Sequence, residues 1–320
     1  MNFKNINTRL SGSAPVQRVV SRSKEVYLPG FDGFSIFEVW LAFTRQLTKT
    51  SLMERAAAIS FNAVMAIPPT LIFLFTLIPH LPISSQFTQE LYGVIRDFVP
   101  GKENHTTIIQ FLEDFINRPR NELLSFGLFL ALFFSSNAMM GVLRSFDKDY
   151  EGFEKRTGIH QRKSALLLTI VCFVLVFIFL FLLIAQGAVL RWIGIENFIV
   201  RVIIVNVRWV IIVLLIFFII SFIYRNGPSI TKRWPLLTPG SVFATTLMLL
   251  ATFLVSYYVN NFNNYNKVYG SISAIFILMT LIFVNSLVIL VGFELNVATS
   301  NLRRQKAHEA VVGAASSQEV

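Results

Sequence analysis

An all-α membrane protein with six transmembrane helices is the fold class that three features of the sequence predict. Six runs are long and apolar enough to cross a hydrocarbon core about 30 Å thick, which takes about 20 helical residues. The chain is 54% hydrophobic and only 14% charged, with a mean hydropathy of +0.61, against roughly 25% charged residues in soluble domains. Its basic residues crowd alternate connections, as they do when loops lie on opposite sides of a membrane. The runs are too long and too uniformly apolar for the strands of an outer-membrane barrel.

Residues 1–33 read as a flexible segment without the apolar core and small-residue cleavage site of a signal peptide, so the first span must direct insertion. From Phe34 to Lys49 the sequence spaces Ile36, Trp40, Phe43 and Leu47 on one helical face, with Glu38, Arg45 and Lys49 on another. Such a helix is expected to lie in the headgroup region of the membrane as an interfacial amphipathic helix, with packing against the bundle as the alternative.

The spans are expected at 57–81, 123–143, 164–190, 202–224, 239–259 and 271–298 within a membrane domain of residues 34–303. Pro68 and Pro69 in the first remove two backbone donors and crowd the preceding turn, which predicts a kink or break. Transporters use such breaks at substrate sites, whereas a static kink only shapes the bundle. The following connection carries two apolar stripes, Phe87, Leu91, Val94 and Phe98, then Ile108, Phe111, Leu112 and Phe115, separated by Pro100-Gly101. These predict two amphipathic helices forming an outer cap.

The fifth span opens Thr238-Pro239-Gly240, an N-cap followed by proline at the first helical position. Gly240 and Ala244 give it a side that a neighbouring helix can approach closely. Tyr257 and Tyr258 anchor its far end, and an Asn-rich turn leads into the last span. Residues 304–320 read as a disordered tail.

An even number of spans puts both termini on one side. That side receives 20 of the 28 basic residues and the other receives 7. Both termini are therefore expected in the cytoplasm. The net charge of +10 is absorbed by this topology and by contact with lipid headgroups, which argues against nucleic acid as a partner.

Enzymatic signatures are missing. The four histidines, His80, His105, His160 and His308, fall on both sides of the membrane without metal-ligand spacing, and the single Cys172 sits in an apolar run. No phosphate-binding G-x-x-x-x-G-K loop and no G-x-S-x-G elbow occur. No metal and no cofactor are expected.

Polar residues within the spans carry more information, because hydrocarbon offers them no partner. Ser60, Asn62, Ser135, Asn137, Asn285 and Asn296 should face inward, either hydrogen-bonded between helices or along a hydrated path. Asn285, Gly292 and Asn296 share one helix face and can line such a path. Glu294, beyond a 20-residue crossing of the last span, lies at a depth similar to Glu54 and Arg55. An ion pair between Arg55 and Glu294 is geometrically open, acting as a lock or a gate, and Glu54 is the alternative participant.

The segments ERAAAISFNAVMAIPP (residues 54–69), YNKVYGSISAI (265–275) and VGFELNVA (291–298) resemble the YihY/virulence factor BrkB family, formerly labelled ribonuclease BN. The resemblance spans residues 38–303. It implies a six-span protein of the bacterial inner membrane, often described as a transporter. Glu54, Arg55, Ser60, Pro68, Tyr269, Gly270, Ser271, Gly292, Glu294 and Asn296 match its motifs; Pro69 adds a second proline to the one expected. Together these features lead to a transporter or flippase-like protein for a lipidic or amphipathic substrate, in contact with membrane lipids and without a nucleotide site. The alternative is a membrane scaffold or envelope assembly factor.

Overall fold

A computed structural model describes residues 21–27, 30–31, 33–48, 51–77, 92–93, 95–96, 102–117, 121–147, 153, 156–192, 198–230, 233–261 and 272–316. The helices are α1 (Ile36–Thr48), α2 (Leu52–Leu77), α3 (Lys102–Asn117), α4 (Asn121–Phe146), α5 (Gly158–Trp192), α6 (Phe198–Asn226), α7 (Pro239–Asn261) and α8 (Ile272–Ser316). Pairing of extended segments among the described residues is confined to two isolated bridges, Tyr27 with Ser35 and Phe153 with Ile230. Six helices, α2 and α4 to α8, are long and apolar enough to span a membrane.

α1 begins with a reciprocal capping box. The Ser35 backbone N–H donates to the Glu38 carboxylate at 2.9 Å, and the Glu38 N–H donates to the Ser35 hydroxyl at 3.3 Å. Its buried residues are Val39, Phe43 and Gln46, which meet Leu295 and Ala298 of α8, and Phe43 sets its ring edge-on to Phe243 of α7. The expected stripe is therefore rotated. Trp40 is exposed, and Gln46 turns inward because it has a polar partner there.

α2 runs as one helix through Pro68 and Pro69, so of the kink or break expected there the break does not occur. The prolines are adjacent, so the lost donors fall within one turn, and the Thr70 hydroxyl donates to the Ala66 carbonyl at 2.7 Å in the same stretch. α4 lies antiparallel along α2. Gly127 faces the Phe73 backbone and Gly141 faces Ile59, which lets the two helices approach closely along their length.

α3 buries Leu112 together with Ile108, Tyr92 and Ile95 against Leu74 near the end of α2. The first stripe of the expected cap, Phe87 to Phe98, lies outside the described residues.

Among the described residues, the largest buried cluster lies at one end of the bundle, the end at which α1 lies. It takes Ala56 and Ile59 from the start of α2, Leu143 and Phe146 from the end of α4, and Ala165 and Leu168 from the start of α5. Ile220 to Tyr224 of α6, Ala244 of α7 and Leu290 to Val297 of α8 complete it. Phe293 is its centre: its ring stacks on Phe146 with centroids 3.9 Å apart, and Trp234, Phe153 and Tyr224 surround it at 5.7 to 6.3 Å. Each such aromatic pair contributes about 0.5–1.5 kcal/mol beyond burial.

Thr238 caps α7 as its sequence predicts, its hydroxyl accepting the Ser241 N–H at 3.1 Å. α7 then crosses α8 with almost no side chain between. A Cβ added at Gly292 would lie 2.5 Å from the Tyr224 hydroxyl, 2.6 Å from Ala244 Cβ and 2.7 Å from the Gly240 carbonyl. α8 continues as helix to Ser316, so the stretch expected to be a disordered tail is helical as far as that residue. Its Ala, Glu, Gln, Lys and Arg residues propagate a helix already nucleated by the span.

Gly292→Val should force these helices apart and lower the thermal unfolding midpoint of the detergent-solubilised protein by several degrees, in line with overpacking costs of about 1–3 kcal/mol. Gly158→Ala, at a position with no atom within 4 Å of the added carbon, should leave the midpoint unchanged.

Candidate functional site

Eight consecutive residues of α8, Gly292 to Thr299, are buried, so the helix is enclosed on every side at this depth. A helix turns about 100° per residue, and each side chain therefore meets a different neighbour. Gly292 and Asn296 face α7, Phe293 enters the aromatic core, and Glu294 points toward α1 and α2.

Glu294 is fully buried. Its Oε1 lies 2.7 Å from Arg55 Nη1, and its Oε2 accepts a 3.1 Å hydrogen bond from Gln46 Nε2. Arg55 is 6% exposed and uses Nη2 to donate to the Ser145 carbonyl at the end of α4. One carboxylate thus gathers α1, α2, α4 and α8. The geometry is that of a strong charge-assisted pair, and removing one member of such a pair leaves an uncompensated buried charge.

Glu54 stands exposed next to Arg55 and is not part of this cluster. The one-residue offset rotates it away from α8.

Asn296 is engaged twice. Its Oδ1 accepts the Gly240 N–H at 2.8 Å and its Nδ2 donates to the Thr238 hydroxyl at 3.0 Å. Asn296 and Gly292 are thus spent on the α7 crossing, and the face they share with Asn285 is closed at this depth. Deeper along α8, the Asn285 Oδ1 is buried, as is the Ser221 hydroxyl of α6, and neither has a hydrogen-bond partner among the described residues.

Ser60 donates to the Ala57 carbonyl at 2.9 Å and Asn62 to the Ala58 carbonyl at 2.8 Å, both within α2. Pro68 is exposed and Pro69 half-buried. Tyr269, Gly270 and Ser271 lie outside the described residues.

Three participants are not among the residues singled out from sequence. Gln46 carried no charge to draw notice, although a lone polar residue in register with Val39 and Phe43 was the available signal. The Ser145 carbonyl acts through backbone and has no sequence signature. Tyr224, the last residue of the fourth expected span, donates its hydroxyl to the Ile289 carbonyl at 2.6 Å, tying α6 to α8.

A second polar cluster joins two connections beside the core. The Asp147 carboxylate accepts from the Ser229 N–H at 3.3 Å and from Gln161 at 3.2 Å, while Arg156 donates to the carbonyls of Gly227 and Pro228. Burial pushes the Asp147 carboxyl above its usual range, and the Arg156 charge and these hydrogen bonds pull it partly back.

Residues 43–315 match the family described as Virulence factor BrkB, and the chain belongs to that family. A ribonuclease-like protein of Bacillus subtilis, YfkH, is 29% identical over 76% of this chain and 88% of its own length. A UPF0761 membrane protein of Xanthomonas axonopodis pv. citri is 23% identical over 82% of this chain and 61% of its own. Another UPF0761 membrane protein, from Chromohalobacter salexigens, is 25% identical over 79% and 60%. The chain therefore spans about three fifths of these UPF0761 relatives. No solved structure matches it.

Arg55→Ala or Glu294→Ala should each cost about 3–5 kcal/mol of stability, the range for breaking a buried pair. The double exchange Arg55→Glu with Glu294→Arg should recover part of the thermal stability each single reversal loses. No recovery in melting experiments would mean that the two charges are not energetically coupled.

Proposed function

We propose that this BrkB-family membrane protein moves a lipidic or amphipathic molecule across the bilayer, as a transporter or flippase-like protein. The observation that carries the reading is an open groove of about 430 Å³ between α5 and α6, whose lining among the described residues is apolar and includes Leu175, Ile178, Phe179, Leu214 and Phe218. Its volume falls within the range of small-molecule sites, about 300–1,000 Å³. The groove lies in the middle of two spans, where the surroundings are hydrocarbon, so the occupant that fits is an acyl chain or a similar apolar tail.

The charge bias of the loops supports a setting in the bacterial inner membrane with both termini, and with them the α1 end, in the cytoplasm. On that reading the Arg55–Glu294 pair closes the inner mouth, and substrate enters from the side. A chain without a phosphate-binding loop would draw on an ion gradient, a partner or the substrate's own gradient.

A membrane scaffold is the second reading, favoured by a specific pattern. Ser60, Asn62, Thr280 and Ser286 all bond carbonyls of their own helices, and Thr70 meets Ser135 across α2 and α4 at 3.3 Å. Polar groups satisfied in this way require no water path. The ribonuclease-like name belongs to the Bacillus relative. Among the described residues no three His, Cys, Asp or Glu side chains come together as metal ligands would.

Proteoliposomes carrying fluorescent lipid should exchange it between leaflets several-fold faster than protein-free liposomes. Leu214→Trp, which fills the groove, should slow that exchange without lowering the melting midpoint. Absence of acceleration across several lipid classes would leave the scaffold. Purified protein should leave RNA intact in the presence of Mg²⁺ or Mn²⁺.

A further inference from the structure

A separate cavity of about 120 Å³ lies at the α1 end, beside the start of α7 and beyond Glu294 on α8. Its walls include Trp234, Thr238, Asn296, Ser300 and Arg303, with Leu237 at its edge. A cavity of this size admits a small polar group together with water. That is the scale of a phosphate group and too small for an acyl chain.

Its depth is set by the helices around it. Arg303 follows Glu294 by nine residues of continuous helix, about 13.5 Å at 1.5 Å per residue, and Thr238 precedes the first turn of the α7 span. The cavity therefore lies outside the hydrocarbon, level with headgroups. Leu237 is 70% exposed at its edge, where glycerol and the first methylenes of a lipid would lie.

The chemistry of the wall suits an oxyanion. Arg303 brings a guanidinium, the side chain best matched to phosphate oxygens. Ser300 adds a hydroxyl and Trp234 an indole N–H, and neither has a hydrogen-bond partner among the described residues. The first N–H groups of α7 are not the source of attraction. Gly240 gives its N–H to Asn296, Ser241 gives its N–H to Thr238, and Pro239 has none. Cationic and hydroxyl donors therefore come from α8 and the preceding loop.

We propose that this cavity binds a phosphate oxyanion, presented by the headgroup of an anionic phospholipid in the adjoining leaflet. The site is independent of whether the chain moves lipid, and its test reads binding alone. Full-length protein is placed in nanodiscs of phosphatidylcholine with a minority of phosphatidylglycerol, and lipid retained after detergent exchange is measured by native mass spectrometry. Phosphatidylglycerol should be retained in preference to phosphatidylcholine, whose quaternary ammonium offsets the same phosphate charge and is repelled by Arg303, and Arg303→Gln should reduce that retention several-fold. Arg304→Gln, a neighbouring cation outside the cavity, should not.

Trp234→Phe keeps the ring against Phe293 but removes the N–H, and should weaken retention by a smaller factor. Millimolar inorganic phosphate should displace the lipid. Equal retention by wild type, Arg303→Gln and Trp234→Phe would overturn the site. Binding of inorganic phosphate without any preference for phosphatidylglycerol would overturn the lipid as its source.

Discussion

A carboxylate with no exposed surface has to be compensated where it sits, and Glu294 is compensated by side chains from two other helices. The demand is large, because burying an ion costs several kcal/mol that only well-placed partners return. Arg55 can meet it only if α2 begins at the depth where Glu294 lies. Gln46 can meet it only if α1 folds back against α8. Arg55's remaining donors need an acceptor, and the Ser145 carbonyl at the end of α4 supplies one. One charge thus sets the mutual register of four helices, in a bundle whose apolar faces would tolerate several.

The residues flanking Glu294 extend that constraint around the helix. Gly292 admits α7 so closely that Tyr224, Ala244 and Gly240 crowd the space a side chain would take. Phe293 fills the aromatic centre, and Asn296 caps the helix it faces through the Gly240 N–H. A contiguous motif of this kind follows from enclosure: when a helix is surrounded, every position in a turn and a half faces a separate neighbour. Among the described residues, the enclosure is confined to this stretch of α8, and Phe253, Leu254, Ile275 and Phe276 farther along α7 and α8 are exposed.

The spans, the α7 cap and the small-residue approach of α7 were legible because each rests on local chemistry: apolar length, an N-cap with proline, and Gly240 with Ala244. The depth match of Arg55 and Glu294 was also legible, since it needs only span counting. The face of α1 was not. Ile36, Trp40, Phe43 and Leu47 form the more apolar stripe, yet Val39, Phe43 and Gln46 turn inward, where Gln46 meets the buried Glu294 carboxylate. That Pro68 and Pro69 leave α2 continuous, where the sequence left a kink or a break open, has a related reason. Proline propensity describes an isolated helix, and packing against α4 holds this one. The helical stretch after residue 303 shows propagation from a long, already formed helix outweighing the polar composition of the stretch.

These constraints bear on how such a bundle can act. Opening a route through the α1 end would separate Arg55 from Glu294, expose or strand two charges, and undo the Gln46 and Ser145 contacts with them. Breaking a buried pair costs about 3–5 kcal/mol, and inverting a two-state equilibrium from 1:99 to 99:1 takes about 5.5 kcal/mol of differential binding. Motion between α5 and α6 carries no such penalty, because the groove there is apolar on both walls and lipid tails can replace protein contacts nearly evenly. The Arg55–Glu294 cluster is therefore the part of the bundle that is hardest to rearrange, and it holds α1, α2, α4 and α8 together at that end.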